Sequence, residues 1–138
     1  MKNTRNRIIF LLISGLLFVT FIQKGYTQAI QKTINSTEAV KLIKDHKINT
    51  KLVILDVRTP QEFAEGHIAN ATNVDVNAPD FIQQLTKFDK SKEYVVYCRS
   101  GHRSAKAAGI MKDQSFKTIY NLDGGITSWI NDHNPVVK

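Results

Sequence analysis

Cysteine occurs once in the 138 residues, at Cys98, so no internal disulfide can brace the fold and a lone thiol is left over as a candidate reactive group. Metal-ligand spacing is missing too. His46, His67, His102 and His133 form no recognisable ligand pattern with Cys98. No G-x-S-x-G elbow, P-loop or paired carboxylates stand out, so the chain is predicted to use neither a metal nor a cofactor. Internal repeats, linkers and low-complexity tracts are absent after residue 30. Beyond Lys41, Lys44 and Lys47 there is no block of like charge, which argues against nucleic acid as a partner.

What is present is enough for one packed domain. Hydrophobic residues make up 42% and charged residues 22%, values of soluble globular proteins, and the length allows one domain plus an extra segment. The formal charge of +7 is unevenly placed. Lys2, Arg5, Arg7 and Lys24 lie in a first stretch without acids, and setting them aside leaves 15 Lys and Arg against 12 Asp and Glu.

That first stretch has its own layout. A basic start is followed by the uncharged run Ile8 to Ile22, which at 15 residues is short of the roughly 20 needed to span a bilayer. Small residues follow at Gly25, Thr27 and Ala29. The pattern predicts a secretory signal peptide over residues 1–27, cleaved after Thr27 or Ala29, and a domain over 28–138 that is exported to a periplasm or secreted. An uncleaved N-terminal membrane anchor is the alternative.

From Asn35 onward helices alternate with short strands. Asn35 or Ser36 caps a helix running to about His46, and Leu52 to Leu55 is a continuous apolar run of the kind buried on both faces. Thr59 and Pro60 suit an N-cap and first helical residue for a short helix that Gly66 ends. Ala71 to Val76 reads as a weaker strand, Asp80 to Phe88 as a short helix, and Glu93 to Tyr97 as a β-branched and aromatic strand leading directly into Cys98. Ser104 to Gln114 is an Ala-rich helix, Lys117 to Tyr120 a strand, and Gly124-Gly125 a turn before a last helix through Trp129. This order predicts an α/β domain with a mainly parallel sheet and its functional groups at the carboxyl ends of the strands.

Cys98 stands at such an end. The segment Cys98-Arg99-Ser100-Gly101-His102-Arg103-Ser104 joins strand to helix, where the N–H groups of a tight turn and of the helix start can converge on one small anion. Gly101 permits the left-handed backbone that a curled loop needs, Ser104 is the predicted N-cap, and Arg99 and Arg103 bring two positive charges. Such surroundings lower a thiol pKa from about 8.5 and supply thiolate at neutral pH. They also screen the approach of a doubly negative donor such as thiosulfate. His102 reads as a solvent or substrate contact, because a thiolate stabilised by the loop needs no base.

Four ordered motifs carry a family likeness: Asp56-Val57-Arg58 with Glu62-Phe63; Gly66-His67-Ile68 with Ala71, Asn73 and Val74; the loop CRSGHRS; and Asn121-Leu122-Asp123-Gly124-Gly125-Ile126 with Trp129. On these the chain resembles the rhodanese family from about Ser36 to Trp129. The resemblance implies a three-layer domain with a five-stranded, mainly parallel sheet flanked by helices. It places a persulfide on Cys98 as the catalytic residue and a substrate cradle at Arg99, Ser100, Gly101, His102 and Arg103. Asp56, Arg58 and His67 are read as structural, and the Gly124-Gly125 turn as lying beside the active loop.

The implied activity moves a sulfane sulfur from thiosulfate or a related small-molecule donor to cyanide or a thiol acceptor. A reducing or persulfide-donating protein partner follows from the oxidising compartment. The alternative is a sulfur-relay or binding module with little activity on free thiosulfate. Related phosphatases and arsenate reductases carry five residues between Cys and Arg. Four separate Cys98 from Arg103, which disfavours that chemistry.

Overall fold

The computed structural model describes residues 28–46 and 51–138, and the signal peptide expected over residues 1–27 lies outside them. Ten elements alternate along the described residues: β1 (Ile30–Ile34), α1 (Ser36–Asp45), β2 (Leu52–Asp56), α2 (Pro60–Glu65), β3 (Ala71–Asn73), α3 (Phe81–Leu85), β4 (Glu93–Tyr97), α4 (His102–Asp113), β5 (Thr118–Leu122) and α5 (Gly125–Asn131). The strands form one sheet in the order β1-β5-β4-β2-β3. Every pairing is parallel.

Side-chain alternation along the central strand divides the core in two. Tyr94, Val96 and Cys98 join Phe81 and Leu85 of α3 and Ala107, Ala108 and Met111 of α4 on one face. Val95 and Tyr97 meet Ala39 of α1 and Ile126 and Trp129 of α5 on the other. Burial on both faces explains why β2 and β4 are continuous apolar runs. The result is the expected three-layer α/β arrangement.

Several boundaries differ from the sequence expectation. β1 was not anticipated: four of its five residues are exposed, so this edge strand carries no apolar run, yet it pairs with β5 from Ile30 opposite Thr118 to Ile34 opposite Leu122. β3 stops at Asn73, although the Val74 and Val76 amides still donate to the Asp56 and Val57 carbonyls at 2.9 and 3.3 Å. α3 covers only Phe81–Leu85, and β5 runs to Leu122, beyond the predicted Tyr120. α1 and α2 begin where expected. Each has a reciprocal capping box, Asn35 with Glu38 and Thr59 with Glu62.

At the carboxyl ends of β2 and β4 a buried ion pair ties the loops down. The Arg58 Nε donates to both Asp56 oxygens at 3.0 Å, its terminal nitrogen donates to Asp56 Oδ2 at 2.6 Å and to the Gly66 carbonyl at 2.7 Å, and the guanidinium lies over the Tyr97 ring. Asn73 Nδ2 donates to the Asp56 and Arg58 carbonyls, and the Ile68 amide donates to the Tyr97 hydroxyl. Asp56 and Arg58 form the ion pair expected of them. His67 likewise stacks on Phe63, with its Nδ1 3.0 Å from the Phe63 carbonyl oxygen.

Removing one partner of a buried pair leaves the other charge uncompensated. Arg58→Ala is therefore expected to lower the unfolding free energy by about 3 to 5 kcal/mol in urea titrations. A loss below about 1 kcal/mol would show that the pair is solvated and does not brace the loops.

Candidate active site

The chain leaves β4 at Tyr97 and turns at once, placing Cys98 on the α4 side of the sheet with 1% of its surface exposed. Gly101 adopts φ +96° and is itself the N-cap of α4, so the helix begins at His102. This corrects the predicted cap: Ser104 sits in the first helical turn, because the left-handed Gly101 turns the chain into the helix earlier than a Ser cap would. The Ser104 hydroxyl is 3.0 Å from the Gly101 carbonyl oxygen and 3.5 Å from the Cys98 Sγ, so one proton serves two acceptors.

The sulfur is surrounded by donors. The Gly101 amide donates to it at 3.1 Å, and the Ser100 and Ser104 amides act on it as well. Burial pushes the Cys98 thiol up, but the Ser104 hydroxyl and these backbone N–H groups outweigh it, and the pKa ends below its ordinary value. No ring nitrogen takes part. His102 is exposed at the first position of α4, and Ser100 is exposed beside it.

The inward direction of the Ser100 N–H is set from outside the loop. At the start of α5 the Ile126 amide donates to the Cys98 carbonyl at 2.9 Å and the Thr127 amide to the Arg99 carbonyl at 3.2 Å. In a planar trans peptide the carbonyl and the next N–H point in opposite directions. Drawing the Arg99 carbonyl toward α5 thus turns the Ser100 N–H toward the sulfur. The Gly101 carbonyl is held by the Ala105 amide at 3.0 Å and by Asn121 Nδ2 at 3.5 Å.

This docking needs the Gly124-Gly125 turn, which lies beside the loop as expected. Gly125 has φ +58°, and a Cβ there would sit 2.3 Å from the Cys98 carbonyl oxygen and 2.6 Å from the Arg99 carbonyl carbon. Both obstacles are backbone, so nothing can step aside.

The two arginines are less alike than their spacing suggests. Arg103 donates through both terminal nitrogens, at 2.8 Å each, to the two carboxylate oxygens of Glu62. Arg99 comes no nearer to the same carboxylate than 3.5 Å, at Nε, and leaves its side chain 68% exposed. The Arg103 hydrogen bonds, helped by the Thr59 cap, pull the Glu62 carboxyl down to about 2. Glu62 is the functional candidate that sequence reasoning missed. The sequence placed it only within the first family motif and gave it no role of its own, and nothing local announces a partner 41 positions away.

Of the predicted site residues, Cys98 and Gly101 converge at the sulfur. Ser100 supplies its backbone N–H, Arg103 pairs with Glu62 and also acts on the sulfur, and Arg99 and His102 face solvent. A buried sulfur under converging N–H groups is an anion-stabilising nucleophile site.

The rhodanese-like domain family model matches residues 36–132. The chain belongs to that family. Among its rhodanese-like relatives, the thiosulfate sulfurtransferase GlpE of Stutzerimonas stutzeri is 39% identical over 82 residues, covering 59% of this chain and 72% of the relative. A sulfurtransferase of Allochromatium vinosum is 29% identical over 104 residues, covering 75% and 95%. The crystal structure of a rhodanese-related protein from Thermoplasma volcanium superposes with a TM-score of 0.66 at 31% identity, covering 77% of this chain and 97% of that one. The family and these relatives support a sulfurtransferase type of activity for the rhodanese-like domain.

The loop and α5 geometry makes Gly125→Ala disruptive. It is expected to lower stability by about 2 kcal/mol or more, through strain and overpacking, and to slow Cys98 alkylation at neutral pH as the N–H groups turn away. Gly109→Ala in α4, where a Cβ meets nothing within 4 Å, is the control and should stabilise by about 0.5 to 1 kcal/mol. Urea unfolding and iodoacetamide rates of the two variants check this, and equal behaviour would contradict it.

Proposed function

We propose that this rhodanese-like domain is a thiosulfate sulfurtransferase that carries the transferred sulfur as a Cys98 persulfide. The observation that carries the reading is the sulfur itself: buried, surrounded by backbone donors, and with its pKa lowered without a base. In the first half-reaction the thiolate attacks the outer sulfur of thiosulfate. A Cys98 S–S bond forms, the sulfur–sulfur bond of the donor breaks, and sulfite leaves with the electron pair. In the second, cyanide or a thiolate attacks the terminal sulfur and returns the electron pair to Cys98. The loop serves both halves, since thiolate and persulfide are both anions held by the same N–H groups. The name of GlpE supports thiosulfate as donor, and the four-residue spacing to Arg103 favours sulfur transfer over phosphoryl or arsenate chemistry.

The cellular setting belongs to the same proposal. The basic start and apolar run support export, and in an oxidising compartment a reducing or persulfide-donating protein partner would keep Cys98 from over-oxidation.

Covalent carriage predicts ping-pong kinetics, with sulfite released before the acceptor enters and parallel lines in double-reciprocal plots of thiosulfate against cyanide. Cys98→Ser should fold and lose transfer entirely. Intersecting lines, or substantial turnover by Cys98→Ser, would remove the persulfide from the account.

A further inference from the structure

Glu62 serves two guanidinium groups from the active loop, and it serves them unequally. Arg103 gives it one hydrogen bond from each terminal nitrogen, at 2.8 Å each, and also acts on the Cys98 sulfur, so it is held in place. Arg99 approaches it by Nε at 3.5 Å, beyond the usual hydrogen-bond range, and its side chain is 68% exposed. The third nearby guanidinium, Arg58, is buried and paired with Asp56 and the Gly66 carbonyl.

The charges then balance. Arg99 and Arg103 contribute two positive charges, and Glu62 and the Cys98 thiolate two negative ones. The formal charges of these four groups sum to zero, and Arg99, the loosely held cation, is the one placed to turn from Glu62 toward an anion arriving at Cys98.

We propose that Glu62 is a specificity-determining residue: by sharing Arg99, its carboxylate sets how strongly the Cys98 sulfur favours anionic over neutral reaction partners. Arg103 is the fixed cation of the loop and Arg99 the exchangeable one, whose loose contact with Glu62 is traded for the negative end of the donor. The proposal rests on Cys98 acting as the nucleophile. For sulfur transfer it means that Glu62 trims the attraction of doubly charged donors and leaves uncharged ones unaffected.

The test compares alkylation of Cys98 by iodoacetate and iodoacetamide, two probes of nearly the same shape that differ by one negative charge, at a pH where the thiolate is fully formed. The ratio of the two rates cancels the thiolate fraction and the opening of the loop. Glu62→Gln keeps the capping box, which accepts Gln in that position. It is expected to raise the iodoacetate to iodoacetamide ratio about three- to tenfold, the worth of one solvent-screened unit charge near the approach path. Adding Arg99→Ala should cancel the rise. Arg99→Ala alone, which leaves α2 untouched, should lower the ratio by a similar factor. An unchanged or lowered ratio in Glu62→Gln, a rise that survives Arg99→Ala, or an unchanged ratio in Arg99→Ala alone overturns the proposal. A merely structural Glu62 would shift unfolding without moving the ratio. Alkylation involves no sulfur transfer, so absence of thiosulfate turnover in the unaltered protein would defeat the proposed function and leave this result standing.

Discussion

The contact on which the site depends is the seating of the first turn of α5 against the backbone of residues 98 and 99. Two amides of α5 take the Cys98 and Arg99 carbonyls, and planarity of the Arg99–Ser100 peptide then turns the Ser100 N–H toward the sulfur. Every step of that arrangement is backbone. It explains why a loop of exposed side chains can still present an ordered set of donors, and why the glycine at 125 has no room for a methyl group. The sheet contributes by delivering both partners to one end: β4 brings Cys98 and its neighbour β5 brings the Gly124-Gly125 turn.

Electrostatics refine what the backbone builds. Burial alone would hold the thiol protonated, and the oriented dipoles reverse that. The long-range charge of the two arginines is partly returned by Glu62, so donor dipoles close to the sulfur, more than a broad positive patch, stabilise the anion. On the opposite side of the strand the Asp56 and Arg58 pair performs separate work. Buried and bonded to the Gly66 carbonyl, it braces the carboxyl end of the sheet where the Cys98 loop begins.

How much of this could be read beforehand follows from the physics of each element. LVIL and EYVVY were legible because strands buried on both faces leave continuous apolar runs, and Thr59-Pro60 was legible because helix starts have local chemistry. Cys98 could be singled out from its place at the end of such a strand. β1 was invisible because an exposed edge strand writes no apolar pattern. The start of α4 was misplaced by two residues because Gly101, the residue recognised as the flexible one, is itself the cap. Glu62 escaped because its partners lie 37 and 41 positions further along, a relation that only the folded chain creates.

The central claim is that backbone and hydroxyl donors, with no assisting base, make Cys98 a thiolate. Titrating the thiolate by its ultraviolet absorbance in the folded protein tests it most directly. The account predicts a midpoint below the ordinary thiol value of about 8.5 that is the same in His102→Ala. A midpoint at or above that value, or one that moves when His102 is removed, would contradict it.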